Sequence, residues 1–137
     1  MHIIKYSNDK TIIKNIVNEI HNGKFTLDIG ILKFLIKTKS IDYIYVLYEN
    51  EDIVGYLIIN DLLISDIKHI NIAIFDVKIE YQKKRYGSLL LKYLINDTTD
   101  NIFCHSTNNS YNFYIKNGFE LSETFGKDEA FLIYIRK

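Results

Sequence analysis

Residues 75–91 read FDVKIEYQKKRYGSLLL, and this is the most informative stretch of the chain. Its first five residues are mostly apolar and extended in character, which predicts the end of a strand. A short basic loop follows, and apolar residues then recur at helical spacing (Tyr86, Leu89, Leu90, Tyr93 and Leu94). The backbone N–H groups at a helix start lack partners, and the helix dipole adds about half a positive charge there. With three cationic side chains beside it, this junction is predicted to bind an anion, with phosphate favoured.

The order of residues in the loop resembles a known phosphate-binding motif. Gln82 and Gly87 fit the first and last positions of the acyl-CoA pyrophosphate loop of the GNAT superfamily of N-acetyltransferases. That pattern is Gln or Arg, two residues, Gly, one residue, and then Gly or Ala. Arg85 stands at the middle Gly position, where Gly makes close approach of a backbone N–H to phosphate easy. The resemblance implies that this basic loop binds the pyrophosphate through Gln82, Lys83, Lys84, Arg85, Tyr86, Gly87 and Ser88.

A second stretch, residues 108–119, resembles a later helix and strand start of the same superfamily. It reads NNSYNFYIKNGF, in which Phe113-Tyr114 and Gly118-Phe119 fit the superfamily's aromatic-Tyr and Gly-Phe pairs in register. The Asn of the superfamily pattern falls on Thr107, and Asn108 is offset from it by one residue. Two motifs in the correct order make a stronger signal than either alone.

The pattern of elements predicts an α/β chain with a mixed sheet, and we expect one domain over residues 1–137. The resemblance covers residues 41–137 well and residues 1–40 only by pattern. It implies a GNAT-like fold, in which a central, mostly antiparallel sheet with a splayed parallel strand pair is flanked by four helices. The parallel strands would be residues 69–79 and 101–105. The pantetheine arm of the cofactor would enter the gap between them, at the carboxyl ends of the strands.

Apolar periodicity and turn residues give the element boundaries. Strands are predicted at residues 2–6, 43–48, 53–59, 69–79, 101–105, 118–122 and 130–136. Helices are predicted after an N-cap in residues 7–9, after Thr26, at residues 86–96 and at residues 108–117. The second of these helices would bury Leu27, Ile31, Leu32, Phe34 and Leu35.

Composition excludes several classes of function. Lys plus Arg and Asp plus Glu both number 17, so the net charge is zero and no field that attracts nucleic acid is expected. The single Cys104 excludes an internal disulfide framework and suits a reducing compartment. No apolar run approaches the roughly 20 residues that span a bilayer, and the first ten residues lack a signal region. We therefore expect a cytoplasmic protein with neither nucleic acid nor membrane as a partner.

Tyr114 is the predicted catalytic residue. In acetyl transfer an amine attacks the thioester and the CoA thiolate leaves. A Tyr hydroxyl, whose unperturbed pKa is about 10, can protonate a thiolate of similar basicity. The resemblance places Tyr114 at the position of the superfamily's Tyr. The alternative is an aromatic side chain packed in the core, because eleven Tyr residues make chance matches common.

The remaining cofactor contacts follow from the resemblance. The backbone of Phe75, Asp76 and Val77 would hydrogen-bond the pantetheine amides, and Asn108 and Tyr114 would complete the site for acetyl-CoA. The chain is not expected to bind a metal, because its four His residues lack paired zinc spacing and one Cys does not supply the remaining ligands.

The general base is less well determined. Many members of the superfamily carry a Glu on the long central strand, where this chain has Asn71 and Ala73. The remaining titratable neighbours are Asp76, His69 and His105. His105 lies at the carboxyl end of a predicted strand, and histidine changes charge near neutral pH. A structural His is the alternative there, and a base is unnecessary if the amine arrives neutral.

These features predict an N-acetyltransferase that moves an acetyl group from acetyl-CoA to a primary amine by direct attack. The amine would belong to a small molecule or a peptide, and the protein would be a monomer or a homodimer. Acceptor contacts are expected from the first two helices and from acidic loops (Asp61, Asp66, Glu123, Asp128 and Glu129). The alternative is a non-catalytic GNAT-fold module that binds acyl-CoA or a partner, which Arg85 and the missing Glu favour.

Overall fold

The computed structural model of the chain describes residues 1–22, 25, 30, 33–34, 37–38, 41–82, 84–125 and 128–136, with 108, 109, 124 and 125 described through their backbone alone. The elements follow in the order β1 (His2–Ser7), α1 (Lys10–Asn22), β2 (Tyr43–Glu49), β3 (Asp52–Ile64), β4 (Ile67–Val77), a 3-10 turn (Ile79–Tyr81), α2 (Tyr86–Asp97), β5 (Ile102–Thr107), α3 (Asn108–Lys116), β6 (Glu120–Phe125) and β7 (Glu129–Tyr134). Every predicted strand is present, with ends that shift by a few residues.

The seven strands form one mixed sheet in the order β1-β2-β3-β4-β5-β7-β6. All neighbours pair antiparallel except β4 and β5, which are parallel. The predicted mostly antiparallel sheet with one parallel pair is therefore confirmed.

The described residues contain three α-helices with assigned bounds, against the four predicted. The additional helix predicted after Thr26 falls mainly on positions outside the described residues. Phe34, predicted to be buried there, is 65% exposed. None of the helices in the described ranges has the length and apolar character needed to cross a membrane.

The sheet separates two apolar cores. One lies under α1. The start of this helix is capped by Asp9, whose Oδ1 accepts hydrogen bonds from the N–H groups of Thr11 at 2.9 Å and Ile12 at 3.2 Å. The other lies under α2 and α3. The α1 core contains Ile13, Ile16, Val17, Ile20, Tyr56, Ile58 and Ile74, and the α2–α3 core contains Ile70, Ile72, Leu90, Leu91, Leu94, Cys104, Tyr114 and Leu132.

The hairpin of β3 and β4 is longer than predicted, and residues 60–68, which were expected to form a loop, belong mostly to its two strands. Strand pairing continues to Ile64 and Ile67, and residues Ser65 and Asp66 close the turn with φ angles of 51° and 65°. Two successive positive φ angles are typical of a type I′ hairpin turn, whose twist matches that of the strands. The side chains of residues 61–68 are all exposed, so no buried face marked this part of the strands in the sequence.

A β-bulge in β4 changes the face of the sheet on which the following side chains lie. Ile74 pairs with Ile58 of β3, whereas Ile72 pairs with the next residue, Ile59, so Ala73 is an extra residue in β4. The extra residue reverses the alternation of side chains between the two faces of a strand. Ile72 consequently lies in the α2–α3 core and Ile74 in the α1 core. The reversal turns Phe75 toward the face that carries α2 and α3.

The turn after α3 requires a glycine. Gly118 has φ +93°, and a Cβ on it would lie 3.1 Å from Cε2 of Tyr134. We expect Gly118→Ala to lower the free energy of unfolding by about 2 kcal/mol, because a left-handed backbone costs an L-residue about 1–2 kcal/mol and the contact adds to this. Urea denaturation checks this, with Asn112→Ala on the exposed side of α3 as the control. Equal stability of the two variants would contradict the expectation.

Candidate functional site

A gap opens between the two parallel strands. The β4–β5 ladder runs only from Ile70–Ile102 to Ile72–Cys104. Beyond it β4 continues to Val77 and β5 to Thr107, and the two continuations are not paired with each other. Strand edges at this point therefore have backbone groups without a strand partner across the gap. The splayed pair that the resemblance implied is present in this form.

An aromatic cluster fills the α2–α3 face of the gap. The ring centroid of Phe75 lies 5.7 Å from that of Phe113 and 6.4 Å from that of Tyr114. Gly87, near the start of α2, approaches the same cluster, since a Cβ there would lie 3.4 Å from the ring of Phe113. Both motifs found in the sequence thus meet at the gap, one through Gly87 and the other through Phe113 and Tyr114.

Tyr114 is 6% exposed and donates a hydrogen bond to the sulfur of Cys104. Burial raises the pKa of Tyr114 far above its ordinary value, and the neighbouring Cys104 raises it further. Burial also raises the pKa of the Cys104 thiol to about 12, against a smaller opposing effect of the hydrogen bond from Tyr114. Both groups are therefore neutral at physiological pH, and Cys104 is a buried free thiol.

The basic loop is tied to the end of β4. Nε2 of Gln82 donates a hydrogen bond to the carbonyl of Val77 at 2.9 Å, so the first residue of the motif positions the loop. The ammonium of Lys84 lies 5.8 Å from the ring centroid of Tyr81. Lys83, which was predicted to contact pyrophosphate, lies outside the described residues.

Arg85 adopts the backbone conformation of a glycine. Its φ and ψ are 68° and 4°, in the left-handed region. Arg85 is the N-cap of α2, and its side chain makes no capping hydrogen bond. The chain therefore follows the path that Gly takes in the motif, although Arg has a Cβ. The first turn of α2 contains no acidic residue, so nothing on the helix itself neutralises the positive end of its dipole.

We expect Arg85→Gly to raise the free energy of unfolding by up to about 1 kcal/mol. Relief of the left-handed conformation raises the free energy of unfolding by about 1–2 kcal/mol, and the greater conformational freedom of Gly in the unfolded chain lowers it by about 0.5–1 kcal/mol. Lys84→Gly is the matched control, since Lys84 is outside the set of positive-φ residues and loses the same charge. Chemical denaturation that finds both glycine variants equally destabilised would contradict the strain at Arg85.

Two contacts fix the start of α2 against its neighbours. Nδ2 of Asn117 donates hydrogen bonds to Oγ of Ser88 at 3.4 Å and to the carbonyl of Phe113 at 2.8 Å. On the other side, the hydroxyl of Tyr86 donates to Oε2 of Glu49 at 3.2 Å. Partial desolvation and this hydrogen bond raise the pKa of Tyr86. The first turn of α2 is thereby held in place from two directions.

The predicted contact residue Asn108 begins α3, and only its backbone is described. Thr107, at the position of the superfamily's Asn, is the N-cap of this helix, and its N–H donates to Oγ of Ser110 at 3.2 Å. Thr107 therefore serves the helix start, and the neighbouring backbone N–H groups of α3 lie at the carboxyl end of β5.

The three candidate bases lie in different surroundings. Asp76 is buried on the α1 side, where Oδ1 accepts a hydrogen bond from the N–H of Val77 at 3.0 Å. The ring of His69 packs edge-on against Phe103 with centroids 5.2 Å apart. His105 is exposed, and its Nε2 lies 3.4 Å from Oε1 of Glu129. Of the three, His105 combines access to solvent with a position just beyond the end of the β4–β5 ladder.

The other polar groups expected near the acceptor are partly paired already. The amide of Asn71, at the position of the superfamily's Glu, donates to the side chain of Asn60 at 2.9 Å. Oδ1 of Asp61 lies 3.7 Å from Nζ of Lys68. The described residues contain no group of three or more His, Cys, Asp or Glu side chains placed to hold a metal ion.

Sequence reasoning missed Ser106. This residue is 1% exposed, on the face of β5 that also carries Cys104, and its Oγ has no hydrogen-bond partner in the part of the chain that the structure describes. A serine inside a strand gives no signal in the sequence, because only the three-dimensional arrangement shows whether its hydroxyl is paired.

Comparison with known proteins supports the resemblance. The Acetyltransferase (GNAT) domain family matches residues 40–121. No curated protein matches the sequence significantly.

Solved structures share the fold over nearly the whole chain. An acetyltransferase from Thermus thermophilus superposes with a TM-score of 0.71 at 11% identity, covering 97% of this chain and 96% of its own. Escherichia coli ElaA gives a TM-score of 0.68 at 12% identity, with coverage of 98% and 99%. Arabidopsis thaliana Naa50, in complex with the bisubstrate analogue CoA-Ac-MVNAL, gives 0.66 at 16% identity, with 97% and 98% covered. At these identities the likeness shows the fold, while the family match covers more than half of the sequence, and the chain therefore belongs to the GNAT family of acetyltransferases.

Proposed function

We propose that this protein transfers an acetyl group from acetyl-CoA to a primary amine by direct attack. The observation that carries the proposal is the gap between β4 and β5, which opens beside the N-terminus of α2 and has Tyr114 on its α2–α3 face. Family membership supports the use of acetyl-CoA, and one neighbour in fold binds a CoA bisubstrate analogue.

The start of α2 would hold the pyrophosphate. Its first N–H groups have no i−4 carbonyl, the N-cap Arg85 supplies no side-chain cap, and the first turn lacks an acidic residue. The dipole and the cations of the basic loop add positive potential at the same point.

The gap would hold the pantetheine arm. One edge of β4 at Phe75 and Val77 is paired with β3, and the other edge faces the gap. The backbone N–H and C=O of Phe75 on that edge can hydrogen-bond an amide-bearing arm as an added strand would, whereas those of Val77 already bond the side chains of Asp76 and Gln82. These residues of the chain thus fit acetyl-CoA, which supplies the activated thioester.

Tyr114 would stabilise the leaving sulfur as a hydrogen-bond donor. Its raised pKa keeps the hydroxyl protonated, but it also makes complete transfer of the proton to a thiolate of ordinary basicity unfavourable. In the free chain the hydroxyl donates to the sulfur of Cys104. Rotation about the phenol C–O bond is enough to redirect it, so we propose that its role is electrostatic.

The acceptor would approach from the opposite face of the gap. Cys104 and His105 are consecutive residues of β5, so His105 projects to the face away from Tyr114. Its Nε2 lies 3.4 Å from Oε1 of Glu129, and this contact orients the imidazole. We propose His105 as the base for acceptors that arrive protonated.

A non-catalytic role as an acyl-CoA-binding module is the second candidate. It is favoured by Asn71, which stands where many members of the family carry Glu and whose amide is already hydrogen-bonded to Asn60. In that role acetyl-CoA would bind and no acetylated product would form.

An acetylation assay separates the two candidates. The protein is incubated with acetyl-CoA and a panel of primary amines and short peptides with free N-termini. Release of free thiol and the mass of the acetylated acceptor are followed, with heat-denatured protein as the control. We expect product with at least one acceptor class. Binding of acetyl-CoA without product across the panel would contradict the catalytic proposal and favour the binding module.

A further inference from the structure

Ser106 carries a hydroxyl whose hydrogen bonds are unmade. The residue is 1% exposed, and its Oγ lacks a partner in the described residues. An unpaired buried hydroxyl destabilises a folded chain, and native proteins rarely leave one without a reason. An Ala at position 106 would lack the hydroxyl, and the paired position of β7 is already an Ala, Ala130. The hydroxyl is therefore available to a partner from outside the chain.

The position of Ser106 points to the gap. The residue lies two positions after Cys104 in β5, which places it about 7 Å further along the same face of the strand. Cys104 contacts Tyr114 at the inner end of the gap. Since β4 and β5 are parallel and α2 begins after the carboxyl end of β4, Ser106 lies nearer than Cys104 to the end of the gap at which α2 begins.

We infer that the hydroxyl of Ser106 hydrogen-bonds an amide of the pantetheine arm of acetyl-CoA, an inference that rests on the proposed function. A serine hydroxyl can donate to an amide carbonyl and accept from an amide N–H, so either orientation of the amide satisfies it. The amide in turn loses its water in the gap and needs a partner from the protein. The side chains that shield Oγ in the free chain must part as the arm enters.

Ser106→Ala should stabilise the protein without ligand and weaken its binding of acetyl-CoA. The free protein should become more stable, with a melting temperature about 3 °C higher, because an unpaired hydroxyl is removed. Binding of acetyl-CoA, measured by titration calorimetry, should weaken by about tenfold or more, because the buried amide loses its partner. A structural serine would show the reverse, with lower stability and unchanged affinity.

Tyr56→Phe is the matched control. The Tyr56 hydroxyl is also buried and has no hydrogen-bond partner among the described residues, but it lies in the α1 core, across the sheet. Its removal should raise the melting temperature in the same way and leave the affinity for acetyl-CoA unchanged. Ser106→Cys, which keeps the side-chain size and has a weak donor, should bind with an affinity nearer to that of Ser106→Ala than to that of the wild type.

The outcomes separate the inference from the proposed function. Wild-type binding of acetyl-CoA with equal binding by Ser106→Ala would overturn the inference and leave the proposed function standing. A lower melting temperature of Ser106→Ala would also overturn it, because the hydroxyl would then have a structural partner. If the wild type binds no acetyl-CoA, the proposed function fails, and the role of Ser106 fails with it.

Discussion

Replacing Tyr114 with Phe is expected to lower turnover about a hundredfold while changing the affinity for acetyl-CoA by less than about twofold. The substitution removes only the hydroxyl, and the ring keeps its contacts with Phe75 and Phe119. If the hydroxyl acts on the leaving sulfur, its loss affects the transition state and not the bound substrate. Initial rates with a responsive amine and calorimetric titration with acetyl-CoA measure the two quantities.

Tyr45→Phe is a matched control for this experiment. Tyr45 is also a buried tyrosine with a raised pKa, and its hydroxyl donates to Oδ2 of Asp97 at 2.7 Å. It joins β2 to the C-terminal end of α2, away from the gap, so its loss should reduce stability without reducing turnover. Turnover of Tyr114→Phe within twofold of the wild type would remove Tyr114 from the mechanism.

Ser88→Asp is expected to reverse the preference of the α2 N-terminus for anions. A carboxylate in the first turn interacts favourably with the helix dipole and should stabilise the free protein by about 0.3–1 kcal/mol. The same carboxylate repels a bound diphosphate, and about 2 kcal/mol of repulsion corresponds to a loss of about thirtyfold in affinity for acetyl-CoA. Denaturation and titration calorimetry on the same variant test both effects.

Ser88→Asn provides the neutral counterpart of nearly the same size. It disturbs the weak contact with Asn117 in a similar way but adds no charge, so its affinity should stay within about threefold of the wild type. Equal affinities for the Asp and Asn variants would mean that the diphosphate does not bind at the start of α2.

The two motifs could be predicted from the sequence because each combines a periodic apolar pattern with residues at fixed spacing. Residues 86–96 were predicted as a helix, and α2 covers Tyr86–Asp97. The capping residue of α1 was located within three positions, and Asp9 is the residue that makes the hydrogen bonds. Local chemistry is sufficient for such features, since the groups that interact are neighbours in the chain.

Other features depend on contacts that the sequence does not reveal. The bulge at Ala73 depends on how β3 and β4 pair, and without it Phe75 would face α1. The left-handed conformation of Arg85 is unusual for an L-residue, and the surrounding loop must impose it. The unpaired hydroxyl of Ser106 becomes visible only when the elements packed around it are in place. These three features all lie near the gap, and functional sites are where a sequence most often departs from regular local patterns.

Thermal unfolding with and without acetyl-CoA tests the central claim most directly, with free CoA and ATP as comparison ligands. A ligand that binds only the folded state stabilises it by about 2.7 kcal/mol at a hundredfold excess over its dissociation constant. We expect a clear rise in melting temperature with acetyl-CoA and free CoA and little change with ATP. No rise at millimolar acetyl-CoA would contradict it, because the gap and the start of α2 would then not form an acyl-CoA site.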